Sequence, residues 1–192
     1  AVDLLKKHGK TAIVWNESLN SGMMPNDIIV QRWMDKKDRS VEFANKGGKM
    51  IVSEFYYYYC DYPYGMTSLK KTYSLDPYIK GLTEAGKKNV YGVECPIWAE
   101  YVRDFDKLSY MCFPRFWAVA EAGWTKRANM DYNSFEERFE ALRPMLEEMG
   151  IKPAPRSDWN PNFLQSLKEL RQFFKGTTNL GNILNMIRNN QA

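Results

Sequence analysis

The sequence predicts an α/β fold built on a parallel sheet. Short apolar runs rich in β-branched residues alternate with segments of helical character, which is typical of parallel strands joined by helices. The chain has 192 residues, of which 44% are hydrophobic and 26% charged, as in ordinary globular proteins. It contains no run of about 18 apolar residues, so no membrane-spanning helix is predicted.

The elements are justified by local pattern. Four apolar runs bounded by glycine or polar residues predict strands, over Thr11–Trp15, Asp27–Trp33, Lys49–Ser53 and Asn89–Val93. Such runs suit strands that are buried on both faces. Helical patterns follow or separate them, over Ser40–Asn45, Asp76–Ala85, Lys107–Trp124 and Ser134–Met149. Ser134 and Glu137 form a capping-box pattern for the last of these, and Gly150 is placed to end it.

The ends of the chain have different character from its middle. The opening AVDLLKKHGK is typical of the last turns of a helix, so we expect further sequence upstream. Residues 151–161 carry three prolines and predict a linker. Apolar residues at helical spacing after Phe163 and around Ile183–Ile187 predict a helical hairpin, interrupted between Gly176 and Gly181. We therefore divide the chain into a domain over 1–156 and a helical tail over 157–192 that covers it.

Charge and cysteine content exclude several classes of function. Lys and Arg exceed Asp and Glu by only 4 and are scattered, which predicts no nucleic-acid partner. Three cysteines, Cys60, Cys95 and Cys112, are too few for a disulfide framework and predict buried free thiols. With one histidine and no metal-binding motif, no metal site is predicted. The bacterial cytoplasm and secretion are both compatible with this composition.

Aromatic residues stand at the ends of the predicted strands. Trp15 and Trp33 end the first two strands, and the fourth leads to Trp98. The third leads into the FYYYYCD segment, which contains Tyr59 and Asp61. Carboxyl ends of parallel strands meet at one edge of a sheet, so these side chains are predicted to converge on one pocket.

Carboxylates accompany the aromatic residues. Asp61 lies two residues after Tyr59, and Glu100 lies two residues after Trp98. A ring that stacks on a sugar and a carboxylate that accepts bonds from vicinal hydroxyls suit carbohydrate recognition. A single tryptophan is more often core and a single carboxylate more often solvated, but the repeated pairing favours a sugar site.

Other conspicuous residues have structural interpretations. An extended segment would place Tyr57 and Tyr59 on the same side. Trp117 and Trp124 are expected to pack in the core. Glu17 and Glu54 are expected to form ion pairs, and Arg115 and Glu121 to be buried partners of other elements.

The sequence resembles the family 20 glycoside hydrolases, the β-N-acetylhexosaminidases, over most of residues 1–156. The resemblance rests on the order and spacing of the motifs IVWNE, VQRW, YCDY, YSLDP, WAEYV and FPRFWAVAEAGW, followed by the FEERF helix. It implies a (β/α)8 TIM-type barrel, of which this chain is the second half, strands five to eight. The partners it implies are a glycan that contains N-acetylhexosamine and the N-terminal half of the same barrel.

The resemblance also implies a mechanism and roles for residues. The family uses substrate-assisted retaining catalysis, with an Asp-Glu pair at the end of strand four. That dipeptide does not occur in this chain, so the isolated fragment is expected to be inactive. Tyr59 would bind the acetamido oxygen and act in catalysis. The sugar would be bound by Trp15, Trp33, Trp98, Asp61 and Glu100, and no metal or organic cofactor is implied.

Two expectations remain open. The favoured function is removal of a terminal β-linked GlcNAc or GalNAc by the longer protein. The alternative is a non-catalytic carbohydrate-binding or scaffolding fragment. In either case a half-barrel exposes two strand edges, at Thr11–Trp15 and Asn89–Val93, so the isolated chain is expected to self-associate.

Overall fold

The computed structural model describes residues 1–175, and it contains the predicted parallel sheet. Its four strands are β1 (Ile13–Trp15), β2 (Ile29–Arg32), β3 (Lys49–Val52) and β4 (Val90–Val93). They lie side by side in sequence order, and every neighbouring pair is parallel. The α/β class is therefore confirmed, and each strand lies within the run predicted for it.

The strands are connected and flanked by helices. The α-helices are α1 (Val2–Lys7), α2 (Arg39–Asn45), α3 (Phe55–Tyr58), α4 (Leu69–Ser74), α5 (Glu84–Lys87), α6 (Phe105–Cys112), α7 (Arg115–Trp124), α8 (Tyr132–Glu148) and α9 (Phe163–Lys175). Short 3-10 turns lie at Asn16–Ser21, Ala99–Tyr101, Arg127–Asn129 and Arg156–Asp158. Among residues 1–175, no helix combines the length and apolarity needed to cross a membrane.

The main core lies between the sheet and its helices. Met50 and Val52 of β3 pack with Ala44 of α2 and with Val119 and Ala122 of α7. These contacts fully bury Met50 and Val52 in the middle of the sheet. The edge strands are different, since Ile13 of β1 and Tyr91 of β4 are each 56% exposed. The expectation that the strands are buried on both faces is therefore wrong for the edges of the sheet.

The pairing of β3 with β4 contains a bulge that affects the edge strand. Met50 pairs with Val90 and Ile51 with Gly92, so Tyr91 has no partner residue on β3. A bulge bends and twists the strand that carries the extra residue. β4 leads directly to the segment that carries Trp98, so its direction affects the placement of that ring.

Two helix predictions are wrong in part. The stretch predicted as one helix over Lys107–Trp124 is two helices, α6 and α7, separated at Phe113 and Pro114. Proline cannot donate a backbone hydrogen bond and disfavours helical geometry in the residue before it. Most of Asp76–Ala85 is not helical, and α5 begins only at Glu84, where the Thr83 side chain accepts a bond from the Gly86 N–H.

The long helix α8 has the predicted end but a different beginning. Asp131 is its N-cap and accepts a hydrogen bond from the Ser134 N–H, so the capping box at Ser134 is wrong. At the other end Gly150 has a φ of +77°. Its N–H donates to Glu147 O and that of Ile151 to Leu146 O, as in a Schellman motif. This position requires a left-handed backbone conformation, which glycine adopts without steric cost.

The segment predicted as a linker packs against the body of the protein. Trp159 is fully buried beside Phe139, and its backbone oxygen accepts a bond from the Leu69 N–H. The tail helix α9 follows, as predicted. The boundary at Arg156 stays a prediction, and the second tail helix around Ile183–Ile187 lies outside the described residues.

Candidate functional site

Four aromatic rings meet at the carboxyl-terminal edge of the sheet. The ring centroids of Trp15 and Trp33 are 6.2 Å apart, as are those of Trp15 and Trp98. Tyr59 joins the group at 6.0 Å from Trp33. Trp15 ends β1, and the other three residues follow β2, β3 and β4. The parallel topology brings all four to one place, as the sequence analysis predicted for their positions.

The rings differ in exposure, which gives the group a floor and a rim. Tyr59 is buried, Trp15 and Trp33 are half-buried, and Trp98 is 48% exposed. Partly exposed tryptophan rings suit a partly hydrated site that binds a flat apolar surface. The arrangement can therefore hold a ligand that presents a C–H face to the rings.

Trp33 is held in place by polar contacts with the turn that follows β1. Its indole Nε1 donates to Glu17 Oε1 at 2.5 Å, and its backbone N–H donates to Asn16 Oδ1 at 2.9 Å. The Asn16 amide in turn donates to Met34 O at 3.3 Å. The sequence analysis assigned Glu17 to an ion pair, whereas here it orients a ring of the site.

Tyr59 is positioned by a helical turn rather than by an extended segment. Because α3 occupies Phe55–Tyr58, Tyr57 packs toward the main core, while Tyr59 packs on Phe55 with ring centroids 5.0 Å apart. The prediction that Tyr57 and Tyr59 share one side is therefore wrong. A helical turn rotates successive side chains by about 100°, so residues two apart point in different directions.

The Tyr59 hydroxyl stays protonated and can donate a hydrogen bond. Burial raises the pKa of Tyr59 well above its usual value, against the lowering effect of a side-chain hydrogen bond with Trp98. The charges of Asp61, Glu17 and Glu94 raise this pKa further. A neutral phenol in this position can donate to an oxygen of a ligand and stabilise negative charge on it.

Asp61 is a buried carboxyl group with unused hydrogen-bonding capacity. It is 2% exposed, and its Oδ1 has no hydrogen-bond partner among the described residues. Burial raises the pKa of Asp61 to about 7, although its own backbone N–H and the Arg115 charge oppose the rise. The nearby Glu100 charge adds to it. Buried polar atoms are nearly always paired, so this oxygen indicates a place for a ligand donor.

Arg115 fixes the segment that carries Asp61. Its guanidinium is fully buried and donates to Cys60 O at 2.5 Å, to Tyr62 O at 2.9 Å and to Thr67 O. It also lies 4.2 Å from the Tyr64 ring centroid. The prediction of a buried partner for Arg115 is confirmed. Because these contacts use backbone oxygens, they hold the course of the chain beside the site.

Glu100 lies at the exposed side of the same site, in the turn Ala99–Tyr101. Its neighbour Tyr101 contacts Phe173 of α9, with ring centroids 4.5 Å apart, and Phe173 also contacts Tyr62 at 5.6 Å. The sequence analysis missed this aromatic contact between the tail and the Glu100 turn. The predicted tail helix includes Phe173, but no local pattern in the sequence indicates which surface this side chain contacts.

The other residues singled out from the sequence have structural positions. Glu54 pairs with Arg32 at 3.0 Å, which confirms its assignment to an ion pair. Glu121 accepts a bond from the Tyr73 hydroxyl at 2.7 Å, and its pairing with Arg138 agrees with its predicted role as a partner. Trp117 packs against the core, whereas Trp124 is 92% exposed and its assignment to the core is wrong.

A further acidic residue stands beside the site. Glu94 follows β4 and accepts a hydrogen bond from Gln31 Nε2 at 2.6 Å. The sequence analysis named neither Glu94 nor Gln31, although Glu94 directly follows β4 and Gln31 lies near the end of β2. Over residues 1–175, no three His, Cys, Asp or Glu side chains are grouped closely enough to hold a metal ion.

Comparisons with known proteins relate the chain to one enzyme family. The family model "Glycosyl hydrolase family 20, catalytic domain" matches residues 1–127. A beta-hexosaminidase of Akkermansia muciniphila is 34% identical, over 74% of this chain and 31% of that protein. The chain thus spans about a third of this relative's length.

Solved structures show the same fold. The beta-N-acetylhexosaminidase of Streptomyces coelicolor superposes with a TM-score of 0.72 at 29% identity, over 83% of this chain and 35% of that one. A mutant beta-hexosaminidase of Streptomyces plicatus in complex with its product GlcNAc superposes with a TM-score of 0.71 at 30% identity. That match covers 84% of this chain and 35% of the other.

Proposed function

Because the chain belongs to glycosyl hydrolase family 20, we propose that it supplies the sugar-binding part of a β-N-acetylhexosaminidase catalytic domain. The observation that carries the proposal is the convergence of Trp15, Trp33, Trp98 and Tyr59 beside a buried, unpaired Asp61 oxygen. This combination offers apolar faces and acceptors to one small ligand. The substrate is a glycan that ends in a β-linked N-acetylhexosamine.

The four strands form the second half of a (β/α)8 barrel, strands five to eight. Their parallel order is compatible with continuation at both β1 and β4, and the exposed Ile13 and Tyr91 lie on these two strands. Closing the barrel would pair both edges with four more strands. The chain covers 31% of the Akkermansia muciniphila relative and 35% of the Streptomyces coelicolor structure, which supports the proposal that it is part of a larger barrel. The partner is then the N-terminal half of the same barrel.

The aromatic residues bind the N-acetyl end of the sugar. Trp15, Trp33 and Trp98 surround the acetamido methyl and lie under the ring of the sugar. Tyr59 donates a hydrogen bond to the acetamido oxygen, in keeping with its raised pKa. In substrate-assisted catalysis this oxygen attacks the anomeric carbon and forms an oxazolinium ion, so that water attack then gives net retention.

The carboxylates bind the opposite end of the sugar. Asp61 and Glu100 accept hydrogen bonds from the hydroxyls at C4 and C6. The effect of Glu100 on the Asp61 pKa supports their proximity. Charge-assisted bonds to hydroxyl groups in a site covered by the sugar contribute about 1.5–3 kcal/mol each.

Two further groups must come from outside this chain. Protonation of the leaving oxygen and orientation of the acetamido group require an Asp-Glu pair, and no Asp-Glu dipeptide occurs in the 192 residues. Hydrolysis of an aryl β-N-acetylglucosaminide should therefore be catalysed by the full-length protein and not by residues 1–192 alone. Enzyme-like turnover by residues 1–192 would contradict this division of the site. Sugar binding without turnover by the full-length protein would favour the non-catalytic alternative.

A further inference from the structure

Two thiols lie in contact between the two loops that carry the site. Cys60 stands between Tyr59 and Asp61, and Cys95 precedes Trp98 by three residues. Their sulfur atoms are 2.9 Å apart although the residues are 35 positions apart in sequence. Both cysteines are free in this structure.

The backbone around the two thiols is already joined by hydrogen bonds. The Cys60 N–H donates to Pro96 O at 3.0 Å, and the Cys95 thiol donates to Tyr58 O at 3.0 Å. A disulfide bond is about 2.05 Å long, so the sulfurs need to approach by only about 0.9 Å. The surrounding structure therefore holds the pair close to bonding distance.

We propose that Cys60 and Cys95 are the site of a disulfide that fastens the Tyr59–Asp61 loop to the Trp98–Glu100 loop. The oxidant is a low-molecular-weight disulfide such as oxidised glutathione. Exposure assigns the order of the steps, because Cys95 is half-buried and Cys60 is fully buried. Cys95 reacts first with the oxidant, and Cys60 then reacts with the resulting mixed disulfide.

The chemistry consists of two exchange steps. The Cys95 thiolate attacks one sulfur of the oxidant, forms a mixed disulfide and releases one low-molecular-weight thiolate. The Cys60 thiolate then attacks the Cys95 sulfur, forms the internal disulfide and releases the second thiolate. The protein loses two thiol protons and two electrons, and one oxidant disulfide becomes two thiols.

The surroundings of Cys60 favour the second step. Burial raises the pKa of Cys60, but the hydrogen bond with Cys95 and the Arg115 charge outweigh it, and the pKa is lowered overall. Cys112, in contrast, is buried in α6 with a pKa raised to about 12, mainly by burial. Burial and the neighbouring Cys60 also raise the pKa of Cys95, so its thiol is slow to ionise. Cys95 differs from the buried Cys112 in its exposure and in its contact with Cys60, and Cys112 therefore serves as a matched thiol that should stay unlinked.

The disulfide would stabilise the site-bearing loops without moving them far. A crosslink over 35 positions removes conformational freedom from the unfolded chain. The midpoint of thermal unfolding should then rise on the order of 5 °C in the oxidised form. Since the sulfurs move by less than about 1 Å, glycosidase activity should be retained.

The test uses the full-length protein incubated with oxidised glutathione, then alkylated and digested. Mass spectrometry should find Cys60 and Cys95 peptides joined with the loss of two hydrogens, in the native sequence and in Cys112→Ser. Cys95→Ser alters only the half-buried thiol, and it should lose both the crosslink and the rise in melting temperature. Unlinked Cys60 and Cys95 peptides, or a link to Cys112, would overturn the proposal. Equal melting temperatures before and after linkage would overturn its stabilising role.

Discussion

The role of Tyr59 can be tested by removing a single oxygen atom. In Tyr59→Phe the ring still packs on Phe55 and Trp33, whose centroids lie 5.0 and 6.0 Å away. The change therefore removes little packing, and it removes the hydroxyl together with its hydrogen bond to Trp98. If the hydroxyl stabilises charge that develops on the acetamido oxygen, its loss acts mainly on the transition state. We expect kcat to fall by about 10²–10³, equivalent to about 2.7–4 kcal/mol.

The neighbouring tyrosine is a matched control. Tyr58 is also buried, but it packs with Met50 and Val119 in the main core, and its hydroxyl has no hydrogen-bond partner among the described residues. Tyr58→Phe should therefore leave kcat unchanged, with no loss of thermal stability.

The assay is the steady-state hydrolysis of an aryl β-N-acetylglucosaminide by the full-length enzyme. For Tyr59→Phe, kcat and kcat/KM should fall together while KM changes little, which is the pattern of an interaction made in the transition state. Near-normal kcat in Tyr59→Phe would refute the reasoning. A fall in Tyr58→Phe instead would transfer the role to that neighbour.

Three further predictions concern other parts of the site and the sheet. Because burial raises the pKa of Asp61 to about 7, the folded protein binds its proton more tightly than the unfolded chain, whose Asp pKa is near 3.8. The free energy of unfolding should thus fall as pH rises from about 4 to 7, by at most about 1.4 kcal/mol per pH unit. In thermal melts Asp61→Asn should abolish this dependence on pH, and the variant should also bind the sugar more weakly. Glu100→Gln should lower kcat/KM by about 10- to 150-fold, the equivalent of about 1.5–3 kcal/mol, and an unchanged value would show that this carboxylate faces away from the sugar. The isolated chain should self-associate through β1 and β4, so light scattering after size exclusion over a tenfold concentration range should give masses above 22.5 kDa, and a monomer that binds no hydrophobic dye would contradict this.

The elements and the meeting place of the rings could be predicted from the sequence because both follow from local or topological rules. Apolar runs such as those ending at Trp15 and Trp33 mark strands, whether these are central or at the edge of the sheet. Once the strands are parallel, their ends must share one edge, so the approach of Trp15 to Trp33 and Trp98 follows. Gly150 marked a helix end for an equally local reason, since only a left-handed residue continues the chain there.

Tertiary structure alone decided which side chains meet across the fold. The α3 turn separates Tyr57 from Tyr59, and Trp124 lies exposed although its helix is apolar. The contact between Cys60 and Cys95 joins positions far apart in sequence. Periodicity reports which face of an element is apolar, but burial and pairing depend on the surface that this face meets. For the same reason the buried Asp61, with its raised pKa and unpaired oxygen, could be recognised only once the Arg115-held loop was in place.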